Sequence, residues 1–243
     1  MKKFLIFFFI FFLSTSIFQQ LFSKNKNLKE SLGCTNDLTK DLFLRGDNLP
    51  IKKIEIDTHK YRDWVVNNIK IITSNTRFVP NILKKKFNST IKVTYDSGDY
   101  CILTGRVRHS GDAKDHIALK GNSIIQSLDV SLNYGNIKGI TKFKLFKPDV
   151  RGVLDDVLIQ TQLLRDFGYL APRSYKVEAR VNQMNSVMLF QEKAAKELLE
   201  FNKRREGPIL EGDQKYFFKL VQDIPDNNLS NWSVGTPFLR NKS

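Results

Sequence analysis

Over much of the chain's middle, apolar and polar positions alternate in a strand-like rhythm. The stretch "IKKIEI" (51–56) alternates in part and predicts a strand, and "NIKIIT" (68–73) predicts another. "IKVTY" and "CILTGRVR" flank Asp96, Ser97, Gly98 and Asp99, turn-forming residues that predict a hairpin. "LDVSL" (128–132) and "ITKFKLF" (140–146) predict a second hairpin around 133–139. After Pro148 and Asp149 the period turns helical: Val153, Leu154, Val157, Leu158 and Leu164 share an apolar face, and Gly168 ends the helix. "YKVEARV" (175–181) alternates again, 182–185 reads as a turn, and "VMLF" (187–190) reads as a buried returning strand. A charged helix is predicted from near Glu192, carrying Ala195, Leu198, Leu199 and Phe201 and stopping at Gly207 and Pro208. This order of strands, helix, hairpin and helix is an α+β pattern.

The N-terminus follows a different rule. Lys2 and Lys3 precede an unbroken apolar run, 4–13, and Ser14, Thr15 and Ser16 supply small residues. A positive start, a short apolar core and a small-residue exit make a signal-peptide layout over 1–23. Ile17, Phe18, Leu21 and Phe22 lengthen the run to about bilayer span, so an N-terminal anchor is the rival reading; Gln19 and Gln20 count against it. Either way the expected location is outside the cytoplasm: periplasm, cell envelope or extracellular space. Residues 24–90 read as a polar leader followed by an N-terminal strand region, with Lys84, Lys85 and Lys86 in a solvated loop. The only two cysteines are Cys34 and Cys101, which an oxidising compartment could pair or leave as buried thiols.

Charge narrows the partners. The 243 residues carry a formal +14, and removing 1–23 takes away two lysines and no acids, leaving +12. A basic surface attracts anions. Export makes chromosomal nucleic acid a poor partner and favours surface glycans or envelope phosphates.

Familiar catalytic signatures are missing from the sequence: no P-loop, no dinucleotide fingerprint, no nucleophile elbow and no paired-histidine zinc motif. Three histidines and two cysteines do not predict a metal site, and no catalytic residue is assigned. Three features remain. In "RHSGDAKDHI" (108–117), Asp112, Asp115 and His116 could hold a cation or a polar substrate, but a polar loop in which Asp caps and Gly turns is the favoured account. In "TKFKLFK", alternation puts Lys142 and Lys144 on one face and Phe143 and Leu145 on the other, so two ammonium groups could hold phosphate oxygens. Glu192 reads by itself as an acid in a first helical turn, where the macrodipole favours negative charge.

The ordered set "GRVRHSGDAKDHI", "ITKFKLF", "RGVLDDVLIQTQLLRDFGYLAPRSYKVEARVN", "VMLFQEKAAKELLE" and "EGPILEGDQKYF" resembles the CotH-like family. These are spore-coat-associated proteins with an atypical protein-kinase-like fold, and the likeness covers about residues 106–218. The resemblance implies a kinase-like small lobe over 91–191, an antiparallel sheet with one packing helix. It also implies a hinge helix and an incomplete large lobe over 192–243. It implies ATP with Mg as cofactor, Lys144 on phosphate with Lys142 in reserve, Asp156 as the lysine's partner, and Glu192 at the adenine hinge. Only 51 residues follow Glu192, and Asp213, Asp223 and Asp226 form no convincing metal-binding pattern. The expectation is therefore the N-terminal part of an exported, ATP-binding, kinase-like envelope or surface protein, not catalytic by itself. The alternative is a non-enzymatic envelope module that binds an anionic glycan or a surface protein.

Overall fold

The computed structural model describes residues 50–213, apart from 77, 122, 151 and 153, together with 238–241. The signal-peptide, anchor and leader readings, Cys34, Asp223 and Asp226 lie outside those residues. The elements are β1 (Ile51–Thr58), α1 (Tyr61–Thr73), β2 (Phe87–Tyr95), β3 (Tyr100–His109), β4 (Ile117–Lys120), β5 (Ser123–Gln126), β6 (Leu128–Leu132) and β7 (Lys142–Phe146). They continue with α2 (Leu154–Asp166), β8 (Ser174–Val181), β9 (Met184–Glu192), α3 (Lys196–Phe201) and a two-stranded pair, β10 (Leu210–Asp213) with β11 (Phe238–Asn241).

Seven strands close into a barrel in the order β1-β2-β3-β6-β7-β9-β8. Each strand turns alternate side chains inward, as a filled small barrel requires. Ile54 and Ile56 of β1, Ile91 and Val93 of β2, and Leu103 and Val107 of β3 are fully or almost fully buried. Leu128 and Val130 of β6, Phe143 and Leu145 of β7, Met188 and Phe190 of β9, and Val177 and Ala179 of β8 complete the interior. The Phe143 and Phe190 rings stack across β7 and β9 with centroids 4.6 Å apart. At the inward position of Gly105 there is no room for a side chain, because a Cβ there would lie 2.8 Å from Ile91 Cδ1 and from the Ser131 carbonyl.

The closing seam joins β1 to β8 in parallel, while the other barrel pairings are antiparallel. Arg180 of β8 reaches across it, donating from Nε to Glu55 at 2.9 Å and from Nη1 and Nη2 to Asp57 at 2.8 Å each. Asn182 Oδ1 accepts from the Thr58 amide at 2.9 Å and its hydroxyl at 3.0 Å. Closure removes the open sheet edges that would otherwise need protection.

The barrel corrects the kinase-like reading. An antiparallel sheet with one packing helix, followed by a hinge, does not form; β1 closes the sheet on itself, and α2 lies outside against β8. Two local readings are corrected as well. Residues 68–73 are helical, since α1 spans Tyr61–Thr73 and buries Trp64, Asn67, Asn68 and Ile71 at helical spacing. Glu192 ends strand β9 instead of opening a helix, and α3 begins only at Lys196. The two predicted hairpins, β2–β3 and β6–β7, form as expected, as do β8, its turn and the returning strand β9. Hairpin β4–β5 was not foreseen.

Candidate functional site

Strand register builds a basic face on the outside of the barrel. Across β3, β6 and β7, Arg106 stands opposite Ser131 and Ser131 opposite Lys142. The next row runs Arg108, Asp129, Lys144 and then Gln191 of β9. Because Val107, Val130 and Phe143 between these rows point into the core, both rows face outward. Adjacent strands lie about 4.8 Å apart, so cations on β3 and β7 are separated by about 10 Å at the backbone.

Asp129 organises this face. It is 6% exposed and its carboxylate is fully engaged. Arg108 donates to Oδ2 from Nε at 3.1 Å and from Nη2 at 2.7 Å, and Lys193 Nζ bonds Oδ1 at 3.1 Å and Oδ2 at 3.2 Å. Burial alone would raise the Asp129 pKa, but the charges and hydrogen bonds of Lys193 and Arg108 outweigh it and hold it below the ordinary aspartate value. Lys193 is placed here by its own backbone, whose amide bonds the Lys142 carbonyl at 3.0 Å. Arg108 and Lys193 thus pair with one inset carboxylate, Lys144 stands opposite it in register, and Arg106 and Lys142 occupy the neighbouring outward row. Arg108 and Lys193 are held against Asp129, and the charges of Arg106, Lys142 and Lys144 leave this face with an excess of positive charge that can attract a multiply charged anion.

The positions proposed from sequence separate in space. Lys142 is exposed and Lys144 half-buried on the same outer face, with Lys144 Nζ 5.6 Å from the Phe146 ring centroid. Asp156 is exposed on α2, which packs on β8, a strand separated from β7 by β9; it is Asp155 that pairs with a lysine, Lys176, at 3.0 Å. Glu192 is inside, bound to Arg173, with 1% of its side chain exposed. The hinge role implied for it depended on two lobes that the closed barrel replaces.

Asp112, Asp115 and His116 do not converge on one point. Asp112 is paired with Lys84, and Asp115 lies 4.0 Å from His116 Nε2. Burial would raise Asp112, but the Lys84 hydrogen bond and charge, with Lys144 and His116 adding, lower it. Among the described residues no three His, Cys, Asp or Glu side chains are grouped to hold a metal ion. Beneath this loop, His109 (Nδ1) and Gln126 (Oε1) lie 3.3 Å apart, both buried.

Sequence reasoning found Lys142 and Lys144 but missed Arg106, Arg108, Asp129 and Lys193. A signal was there: "GRVR" and "LDVSL" each place polar residues two apart, on the face opposite their apolar ones. No family model matches the chain. No curated protein matches it either.

Proposed function

We propose that this chain is an exported, non-enzymatic envelope module whose outer barrel face binds an acidic polysaccharide. The observation that carries the reading is the register bringing Arg106, Arg108, Lys142 and Lys144 onto one outer face with Asp129, with Lys193 added from beyond β9. A repeating anion suits such a face better than a single small one, because the donors are spread over several strands. Export draws support from the positive start, apolar run and small-residue exit of 1–23. No helix among the described residues is long and apolar enough to cross a membrane.

Chromatography on an acidic polysaccharide tests this. Arg106→Ser with Lys142→Ser should elute at distinctly lower salt than the unsubstituted chain, whereas Lys52→Ser with Lys60→Ser, exposed cations off this face, should shift elution much less. Equal shifts in both double variants would reduce the interaction to net charge and sink the site. The competing nucleotide reading predicts that Mg-ATP raises the melting temperature by mass action and that Lys144→Ala abolishes the rise. That pair of results, without polysaccharide retention, would replace the glycan proposal.

A further inference from the structure

We propose that the exit of helix α2 is a separate contact for an anionic phospholipid surface. Helix α2 rests on β8, with Leu154, Val157, Leu158 and Thr161 on its half-buried or buried side. Its other side and its exit leave Leu163, Phe167, Tyr169 and Leu170 in solvent; Phe167 is 74% and Tyr169 65% exposed. Gly168, at φ +80°, turns the chain sharply between the two aromatic residues. A folded surface rarely leaves such a contiguous apolar group uncovered without a use for it.

The charge beside this tip selects among occupants. Lys203, Arg204 and Arg205 are all exposed, and Arg204 Nη2 hydrogen-bonds the Gly168 carbonyl at 3.4 Å, which holds the basic segment against the aromatic turn. Asp155 and Asp156 lie at the opposite end of the helix, about 15 Å away at 1.5 Å per residue. Asp166, Glu200 and Glu206 are the nearby acids; Asp166 accepts from Gln162 Nε2 at 2.7 Å, and Glu200 is paired with Lys196 at 3.3 Å. Aromatic and aliphatic side chains flanked by cations match the boundary between acyl chains and anionic headgroups. Tyr169 suits that depth in particular, with an apolar ring and a polar hydroxyl. A protein groove would use the apolar side chains and leave the basic segment idle.

The contact is independent of the glycan face, which lies on β3, β6 and β7. Its test uses the full chain carrying Phe167→Trp, with the emission of the unsubstituted chain (Trp64 and Trp232) subtracted. Vesicles of phosphatidylcholine, with or without phosphatidylglycerol, carry brominated acyl chains as quencher. The added tryptophan should shift to the blue and lose about half its emission on the anionic vesicles only, and Lys203→Ser, Arg204→Ser and Arg205→Ser together should abolish both changes. If the added tryptophan stays unquenched on a chain that still sediments with vesicles through other segments, the proposal is overturned. Quenching that is equal on uncharged vesicles overturns it too. A lipid-independent dimer that Phe167→Asp dissociates would assign the patch to a second copy and overturn it as well.

Discussion

Arg173 and Glu192 form a two-point ion pair inside the protein, Nε to Oε2 at 2.9 Å and Nη2 to Oε1 at 2.8 Å, with 1% of each side chain exposed. The Arg173 amide also donates to Oε2 at 3.2 Å, and the Glu192 amide donates to the Arg173 carbonyl at 2.9 Å. Arg173 Nη1 bonds the Lys138 carbonyl at 2.6 Å, and the guanidinium carbon stands 4.0 Å from the Phe201 ring centroid. One arginine therefore ties the approach to β8, the end of β9, the β6–β7 connection and α3. Glu192 is a strut of the frame, with both carboxylate oxygens bonded to Arg173.

Removing one partner strands the other charge out of water. Arg173→Met should cost about 3–5 kcal/mol, the usual penalty for an uncompensated buried charge. The double variant Arg173→Met, Glu192→Leu should be less destabilised than that single variant, since both charges are gone. Urea unfolding midpoints decide it. A single variant within about 1 kcal/mol of the parent would show that the pair is solvated in solution.

His109 makes stability depend on pH. Burial, partly opposed by the Gln126 hydrogen bond, lowers its pKa to about 4, with His116 and Lys84 lowering it further and Asp112 opposing. Its folded value lies below the ordinary 6.5, so between those values the unfolded chain binds the proton and the folded chain does not. The contribution is complete above about 6.5 and is lost as pH falls toward 4, amounting to about 3 kcal/mol over the window. Urea midpoints measured from pH 7.5 to 4.5 should fall less steeply in His109→Gln than in the parent. Parallel curves would mean that His109 titrates normally.

Gly105 sets the fit between β2, β3 and β6. Its Cβ would press at 2.8 Å on the Ser131 carbonyl, which is backbone and cannot swing aside, as well as on Ile91 Cδ1. Gly105→Ala should therefore destabilise by about 1–3 kcal/mol through overpacking, despite the better strand propensity of alanine. Pairing it with Ile91→Val relieves one of the two contacts and should recover only part of the loss, as read from thermal melts. Full recovery would place the whole strain on the Ile91 side chain.

What could be read from sequence follows the range of the interaction. The hairpins and α2 rest on contacts between neighbours in the chain, and alternation or helical period records those directly. For 68–73 the β-branched residues spoke for a strand, but burial of Trp64 and Ile71 on one helical stripe won. Barrel closure depends on β1 meeting β8, with Arg180 and Glu55 separated by 125 positions, and local pattern holds no trace of such a pairing. The same limit explains the candidate site. Lys142 and Lys144 were visible on one strand, whereas Arg108 and Lys193 become their neighbours only once β3, β6 and β9 are registered around Asp129.

Asp129 separates the stability of the basic face from its affinity. Asp129→Asn keeps the shape and one acceptor oxygen but removes the charge that holds Arg108 and Lys193, a loss of about 1.5–3 kcal/mol for hydrogen bonds to charged groups. Because the folded carboxylate is held below its ordinary value of 3.8, the contribution is present above that pH and is lost as the pH falls through the folded value. The variant should accordingly melt lower at neutral pH and differ less from the parent in acid. Its retention should move the other way. With the central negative charge gone, the face gains one net positive charge, and elution from an acidic polysaccharide should require more salt than for the parent. A variant that melts lower yet elutes at the same or lower salt would show that Asp129 positions Arg108 and Lys193 for the ligand, so that losing their order outweighs the added charge.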